Sequence, residues 1–440
     1  MNTEQLKKIV CETIDANRDK ICEIGNSIYK NPELGFKEYF ASSQVEKVFQ
    51  ELGLEYEKEI AVTGLKARLN NKSNINVGVL GELDAVVCPM HPDANTDTGA
   101  AHCCGHFAQI AGMLGCAIGL HAIKDELDGN VTFMATPAEE CVELEYRQQI
   151  KKEGKIQYFG GKQEWLRLGH FDDIDVAMLI HGMDSNHEKA IKACSSGVGF
   201  ITKTVKFIGK EAHAGISPWD GTNALDAATL ALSAINAVRS TLKEKDVVKI
   251  HPIMTKGGTL VNIVPNDVRL EMYIRAATIE AIKDANFKVN RAIKGCAYAV
   301  GCEVEIIDMP GYLPIHSDRN LANVFGRNVE LLCPDTEVMY PTDIEGISTD
   351  LGDVATMLPS IMAGIGGFVD GFHTMNFKID NEELAYIIPA KTLACTVIDL
   401  LANNGEKVKD IQSQFKAKYT MNDYDNLWES ILEFKNKGIE

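Results

Sequence analysis

Apolar side chains recur at helical spacing near the start of the chain, over residues 3–30 and again over 41–53. Four short β-rich runs follow, at 61–69, 75–80, 130–135 and 176–180. A long apolar helix is predicted over about 105–123, between the second and third of these runs. Because strands alternate with helices, this pattern predicts an α/β domain built on a mainly parallel sheet.

The pattern changes near residue 197. The predicted elements are then a strand at 197–209, a helix at 223–242, further strand within 261–275, a helix at 279–300 and a strand at 302–307. The order β-α-β-β-α-β is that of a split, ferredoxin-like α+β domain. We therefore predict that residues 196–311 form a second domain, inserted into a first domain made of 1–195 and 312–440. A helix at 381–403 fits the first domain, and 405–440 is charged and helical in pattern.

Polar side chains stand where three of the predicted strands end. Glu82 and Asp84 follow one strand, Glu139 and Glu140 follow another, and His181 ends a third. In parallel sheets, binding and catalytic residues lie at the carboxyl ends of the strands. We therefore expect these five side chains to point to one rim of the sheet.

Cys104 and His106 stand two residues apart, on either side of Gly105, which lets the backbone turn sharply. A thiolate and an imidazole at this spacing can bind one divalent metal ion. If Glu140 is also a ligand, Glu139 beside it is free to take a proton from water. Taken alone, these segments equally fit two buried thiols and a solvated acidic turn. A structural zinc site would show paired ligand spacings, and none is visible, which favours a catalytic site with scattered ligands.

Histidine is scarce, with 11 in the chain, so the surroundings of each one are informative. His213 lies in the segment Glu211-Ala212-His213-Ala214-Gly215, and His373 follows a segment that we interpret as a glycine-rich loop. These two join His106 and His181 as candidates for chemistry.

Composition narrows the classes of function. The 440 residues suit two domains, and a formal net charge of −18 argues against a nucleic-acid partner. The N-terminal segment lacks the apolar core of a secretory signal, and no 18-residue apolar run predicts a membrane span. The 12 cysteines are scattered through a long chain, so we expect reduced thiols and a cytoplasmic protein.

Together these motifs resemble the M20 metallopeptidase and amidohydrolase family. The similarity is to its aminoacylase-like branch, which includes indole-acetyl-amino-acid and aminobenzoyl-glutamate hydrolases. It covers nearly the whole chain. The motifs that carry it are Asn31-Pro32-Glu33-Leu34-Gly35-Phe36, 102–106, 137–140, His181-Gly182-Met183, 207–215, 257–265, Ser348-Thr349-Asp350-Leu351-Gly352-Asp353 and His373.

The resemblance implies a pair of divalent metal ions, zinc or manganese, with cobalt or nickel also compatible. The implied ligands are Cys104, His106, Glu140, His181 and His373, with Cys104 as the bridge, and Glu139 becomes the general base. Peptidase branches of the family carry a His-x-Asp motif where this chain has Glu82-Leu83-Asp84. The resemblance therefore implies that His106 supplies the missing ligand and that Asp84 supports the metal ligands.

The inserted domain is similar to the family's dimerisation lid, which implies a homodimer. His213 would then reach the active site of the partner subunit and stabilise an oxyanion, while Asn262 and Arg275 are candidates to bind the substrate carboxylate. The chain departs from the branch at Phe107, where Asp or Asn is usual. It also departs at Cys103 and Cys141, where small residues are common. Phe107 removes a polar group next to a metal ligand, which bears on substrate preference or metal affinity.

The implied function is hydrolysis of the amide bond of small N-acyl or N-aroyl amino acids. One alternative is a dipeptidase or carboxypeptidase that acts on short peptides with the same metals and base. An alternative of another class is a metal-binding or regulatory homologue that has lost catalysis.

Overall fold

The computed structural model describes residues 1–184 and 190–432. The α-helices are α1 (Thr3–Ala16), α2 (Arg18–Tyr29), α3 (Tyr39–Glu51), α4 (His106–His121), α5 (Leu144–Lys152), α6 (Gly161–Arg167), α7 (Ala224–Arg239), α8 (Ile279–Val300), α9 (Arg319–Leu332), α10 (Leu351–Ala355), α11 (Ile388–Gln414) and α12 (Met421–Leu432). The strands are β1 (Glu55–Ile60), β2 (Gly64–Arg68), β3 (Asn76–Glu82), β4 (Val86–Val87), β5 (Ala100–Ala101), β6 (Asn130–Thr136), β7 (Val176–Asp184), β8 (Ala190–Lys192), β9 (Gly199–Ile208), β10 (Lys249–Lys256), β11 (Asp267–Ala276), β12 (Glu303–Pro310), β13 (Glu337–Met339), β14 (Ser360–Val369) and β15 (Lys378–Ile379).

The chain divides into two compact units. The first comprises Met1–Ser196, Ile315–Asp343 and Asp353–Tyr419. Its main sheet has the order β1-β2-β6-β3-β7-β14-β8-β13, with β15 beside β14. The central strands β6, β3, β7 and β14 are parallel to one another. Every residue of β3 and β6 is buried, as expected for central strands of a parallel sheet that is covered on both faces.

Helix α4 lies in the core of the first unit and carries His106 at its first position. Its residues from His106 to Leu120 are all buried, and it packs against α1, α2, α11 and β3. A helix that is apolar on all sides suits such a central position. The residue before it, Gly105, has a φ of 85°, a left-handed backbone that favours glycine. The turn that this allows places Cys104 and His106 together at the start of the helix.

The second unit comprises Gly197–Pro314, Ile344–Gly352 and the described part of 420–440. Its sheet is antiparallel with the order β10-β11-β9-β12, and α7 and α8 pack against it. Burial alternates residue by residue along β11, which is the signature of a strand with one face on the core. The chain order β9-α7-β10-β11-α8-β12 together with this strand order is the split βαβ arrangement.

The prediction of an α/β fold with a mainly parallel sheet is confirmed, and several local predictions need correction. The predicted helix over 3–30 is two helices, because the chain leaves helical geometry at Asn17, between α1 and α2. The region 261–275 holds one strand, β11, which begins only at Asp267, and the other middle strand of the β-α-β-β-α-β order is β10, which lies earlier, at Lys249–Lys256. Segments 344–352 and 420–432 group with the second unit, whereas the sequence predicts all of 312–440 in the first. Residues 433–440 of the segment predicted to be helical lie outside the described residues.

The glycine-rich segment before His373 was interpreted as a loop, and this was wrong. It is β14, a buried strand beside β7. A side chain at Gly364 would come within 3.1 Å of Met183 and 3.2 Å of Lys192, so close packing between strands accounts for the absence of side chains there.

Within the described residues, one helical stretch, Glu383–Gln414, is long and apolar enough to cross a membrane by length and composition. It is 83% buried inside the protein over its most apolar window, as in a core helix.

Candidate metal centre

The predicted site residues of the first unit meet at one rim of its main sheet. Glu82 ends β3 and Asp84 follows it, Glu139 and Glu140 follow β6, and His181 lies on β7. The three strands are neighbours in the order β6-β3-β7 and run parallel, so their carboxyl ends lie side by side.

Asp84 fixes the orientation of the His106 ring. The Nδ1 of His106 lies 2.9 Å from the main-chain oxygen of Asp84 and 3.1 Å from its Oδ1. A carbonyl oxygen only accepts, so Nδ1 carries the proton and donates it. The other nitrogen, Nε2, is buried and makes no hydrogen bond among the described residues, although Oε2 of Glu82 lies 3.1 Å away. It is therefore available to bind a metal ion.

Cys104, His106 and His181 form a first group of possible ligands, whose donor atoms all lie within 4.8 Å of one another. The Sγ of Cys104 is 3.5 Å from the Nε2 of His181. The Nδ1 of His181 donates to the main-chain oxygen of Gly182 at 2.8 Å, which leaves Nε2 facing the thiol.

Cys104, Glu140 and His373 form a second group, also within 4.8 Å. The Nε2 of His373 is 2.9 Å from Oε1 of Glu140. The main-chain N–H of His373 donates to the oxygen of Cys103 at 2.9 Å, which ties the loop after β14 to the turn that holds Cys104. The two groups share Cys104.

This donor set fits two divalent ions. Sulfur, imidazole and carboxylate ligands suit zinc, and the carboxylates also suit manganese. Burial raises the pKa of Cys104, but His106 and His181 outweigh burial and lower it to about 6, which favours the thiolate. The Glu140 carboxylate, more than any other group, raises the pKa of His373 to about 11. Buried anions that draw protons onto imidazoles would also attract cations.

Glu139 belongs to neither of these two groups but forms a third with Glu82 and His106, whose donor atoms also lie within 4.8 Å of one another. Burial, together with the charges of Glu82 and Glu140, raises the pKa of Glu139 well above its usual range. Its Oε2 is 3.8 Å from the Nε2 of His106. A carboxylate with a raised pKa beside possible metal ligands has the properties of a general base.

Buried side chains that the sequence analysis did not identify hold the turn of the two glutamates. The guanidinium of Arg147 donates to the main-chain oxygens of Ala138 and Glu140, and the N–H of Ala138 donates to Oε1 of Glu38 at 2.8 Å. The N–H of Glu140 donates to Oδ2 of Asp84 at 2.8 Å. Asp84 therefore connects His106 to this turn, whose residue Ala138 has a left-handed φ of 56°.

A buried ion pair lies beside His106. The ammonium of Lys162 is 2.5 Å from Oε1 of Glu82, and Gln109 donates to Oε2 at 2.7 Å. That Oε2 is 3.1 Å from the Nε2 of His106. Burial raises the pKa of Glu82, but Lys162 and His106 outweigh burial and lower it to about 2.

From the sequence, Glu82 is predicted to lie at the sheet rim without a role and Lys162 is not a candidate, since a lysine at the start of a short helix is usually exposed. The signal in the sequence that this position is closely packed was the neighbouring residue, Gly161. A side chain at Gly161 would come within 1.8 Å of the main-chain oxygen of Pro137, so only glycine lets this helix approach the strand end.

The Phe107 ring does not face the possible metal ligands, so it does not take the place of a polar side chain beside them. Its ring is fully buried and lies edge-on to Tyr29, at 5.0 Å between centroids, and to His102, at 5.6 Å. Burial lowers the pKa of His102 to about 3, so this imidazole is neutral. Phe107 therefore belongs to an aromatic core layer behind the site.

His213 and Asn262 lie together in the second unit, and both are exposed. Strand-like pairing joins His213 to Ile263, and the N–H of Ala214 donates to the oxygen of Asn262 at 2.9 Å. Arg275 lies at the opposite end of β11, where it pairs with Phe200. The eight residue steps of β11 from Asp267 to Arg275 span about 27 Å at ~3.4 Å per residue and separate Arg275 from Asn262 within one chain.

Comparison with known proteins agrees with this architecture. Residues 78–397 match the model of peptidase family M20/M25/M40. The Xaa-Arg dipeptidase of Mus musculus is 26% identical over 448 residues, which cover 94% of this chain and 93% of that protein. A p-aminobenzoyl-glutamate hydrolase chain of Escherichia coli is 24% identical over 321 residues, 69% of this chain and 60% of that protein. A solved Bacillus subtilis structure, described as a dinuclear metal-binding peptidase of the M20 family, is 18% identical with a TM-score of 0.64, covering 88% of this chain and 99% of that one.

The family match and the relatives show a hydrolytic metalloenzyme of linear amide or peptide bonds. Because the family model matches well over half of the residues, the chain belongs to peptidase family M20/M25/M40.

Proposed function

We propose that this enzyme hydrolyses the amide bond of small N-acyl or N-aroyl amino acids. The observation that carries the proposal is the placement of Glu139 beside two groups of possible metal ligands that share Cys104. The likeness to the aminobenzoyl-glutamate hydrolase chain supports an aromatic acyl group on an amino acid.

In this proposal Cys104, His106 and His181 would hold one divalent ion, and Cys104, Glu140 and His373 would hold the other. When bound, such ions would lower the pKa of water from about 15.7 to about 7 and polarise a carbonyl oxygen. Glu139 takes the proton from the attacking water and later delivers it to the nitrogen of the leaving amine. Asp84 keeps the His106 ring in the orientation that presents Nε2, and Arg147 keeps the main chain of both glutamates in place.

We assign His213 the stabilisation of the oxyanion. Its Nδ1 accepts from the N–H groups of Gly215 and Ile216, each at 3.2 Å. Since amide nitrogens only donate, Nδ1 is unprotonated and Nε2 carries a proton that can be donated to an oxyanion. Asn262 and Arg275 are the candidates for the substrate carboxylate, and because β11 separates them within one chain, they would reach it from different subunits.

The proposed assembly is a homodimer through the second unit. Four apolar side chains near His213 and Asn262 are largely exposed, which favours their burial by a partner. They are Ile216 at 70%, Trp219 at 77%, Leu260 at 62% and the fully exposed Val261. A second copy that covers this surface would bring His213 to a site on the other subunit.

A dipeptidase is the second candidate. It is favoured by the likeness to the Xaa-Arg dipeptidase, which extends over nearly the full length of both chains. The same ligands and base would serve both reactions, so only substrates distinguish them.

The test is a panel of N-acetyl, N-benzoyl and p-aminobenzoyl amino acids and of dipeptides, including some with C-terminal arginine. Protein loaded separately with zinc or manganese is compared with Glu139→Gln protein loaded in the same way. We expect release of the amino acid from aroyl amino acids by the wild type alone. Faster turnover of the dipeptides would support the second candidate, and no turnover of any amide would contradict both.

A further inference from the structure

Two helices of the first unit face each other through matched residues. On α1, Lys7, Cys11 and Asp15 are spaced by four, so they share one face of the helix. On α11 the same three residue types recur at the same spacing, at Lys391, Cys395 and Asp399.

The two faces pair in opposite directions. The Nζ of Lys7 is 2.7 Å from Oδ2 of Asp399, and the Nζ of Lys391 is 2.6 Å from Oδ1 of Asp15. Between these ion pairs the sulfur atoms of Cys11 and Cys395 are 3.8 Å apart. An ion pair on each side fixes the register of the helices and keeps the two thiols opposite each other. We call these three pairs the α1–α11 ladder.

The two thiols of the ladder differ in pKa and in exposure. Either sulfur can donate the hydrogen bond between the two thiols. This bond is the largest influence on the pKa of Cys11, and with Lys391 and Lys7 it lowers that pKa, although partial burial and the Asp15 carboxylate oppose this. The same hydrogen bond, with burial, raises the pKa of Cys395. Cys11 is partly exposed and Cys395 is buried, so an oxidant reaches Cys11 first.

We propose that Cys11 and Cys395 form a reversible disulfide that joins α1 to α11 when the protein meets a peroxide. The thiolate sulfur of Cys11 attacks one peroxide oxygen, the O–O bond breaks, and the product is a sulfenic acid and, after protonation, water. The sulfur of Cys395 then attacks the sulfur of Cys11, the S–O bond breaks, and the departing hydroxide takes the Cys395 proton to give a second water. Two thiols lose two electrons and one peroxide becomes two waters. A dithiol reverses the bond by exchange.

The sulfur atoms must approach by about 1.8 Å to reach the disulfide length of ~2.05 Å, which requires side-chain rotation and a small helix movement. The bond would join positions 384 residues apart, and closing so long a loop restricts the unfolded chain strongly. Both helices pack on α4, which begins at His106. The disulfide would therefore stabilise the helix layer that supports the metal centre.

The test treats zinc-loaded, full-length protein with hydrogen peroxide and identifies disulfides by mass spectrometry of a non-reducing digest. We expect loss of two of the 12 thiols, a dominant Cys11–Cys395 peptide pair, and a rise in melting temperature of about 3 °C or more that a dithiol reverses. Cys11→Ser and Cys395→Ser should lose the rise. Oxidation of other thiols without this peptide pair would overturn the proposal.

A second measurement tests the role of the ion pairs. Lys391→Met should slow formation of the disulfide at least threefold, whereas Lys409→Met, which lies beyond the kink at 402–405 and outside the ladder, should leave the rate unchanged. Equal rates in the wild type and in folded Lys391→Met would overturn the role of the ladder.

Discussion

His106 donates its Nδ1 proton to Asp84 twice, to the main-chain oxygen at 2.9 Å and to Oδ1 at 3.1 Å. The other side-chain oxygen of Asp84 accepts the N–H of Glu140. The Asp84 carboxylate thus orients the ring of His106, a proposed ligand of the first metal ion. It also holds the main chain of Glu140, a proposed ligand of the second.

Replacing Asp84 with alanine should therefore weaken metal binding. Loss of such a supporting carboxylate typically costs 10- to 100-fold in metal affinity, and we expect a decrease of about that size for zinc. Competition with a chromophoric chelator measures it, with the exposed Asp128→Ala as the control. An affinity within twofold of the wild type would refute the supporting role of Asp84.

Arg147 is a positioning residue that acts through the main chain of the glutamate turn. In Arg147→Met the oxygens of Ala138 and Glu140 lose their donor, and displacement of the turn by about 1 Å would lower kcat about 100-fold. KM and metal content should change little. Steady-state kinetics and metal analysis check this, and Arg327→Met, which alters an exposed arginine, is the matched control. A variant that loses metal in proportion to its activity would show that Arg147 acts on the ligands instead.

The Glu82–Lys162 ion pair should make the free energy of unfolding depend on pH in acid. The folded-state pKa of Glu82, about 2, is below its ordinary value of 4.5. Its ionised form therefore contributes stability that is fully present above about pH 4.5 and is lost as the pH falls towards 2. Glu82→Gln leaves the Lys162 ammonium buried without its anionic partner, so this variant should be less stable at pH 6.

The difference in unfolding free energy between wild-type and Glu82→Gln apo-proteins should then narrow as the pH falls from 4.5 to 3. Urea titrations at several pH values measure this difference. A difference that is constant across this window would mean that Glu82 is not held ionised by Lys162.

Local patterns were sufficient to predict the strands whose ends carry the candidate site, because a buried parallel strand is a short apolar run and its polar end follows directly. They also predicted the helix that begins at His106. They failed at β14, since the same glycines that suggest a loop also permit close strand packing. They could not identify Arg147 or Lys162, because burial of these cations depends on partners far away in the chain, such as Glu82, which is 80 residues from Lys162.

A shared site between subunits predicts complementation. In a homodimer with twofold symmetry, a mixed dimer of His213→Ala and Glu139→Gln chains contains one site in which both residues are intact. Random exchange makes half of the dimers mixed, so we expect about a quarter of wild-type activity from two variants that are each nearly inactive. Activity after denaturant-assisted exchange measures it. If labelled subunits exchange and no activity returns, His213 does not act across the dimer.

The central claim is that Glu139 is the base beside two bound metal ions, and Glu139→Gln tests it most directly. The variant is loaded with zinc or manganese, its metal content is measured, and its turnover of the best amide substrate is compared with that of the wild type. We predict two ions per chain in both proteins and a kcat lower by about 10²- to 10⁴-fold in the variant. Near-normal turnover with both ions bound would contradict the account.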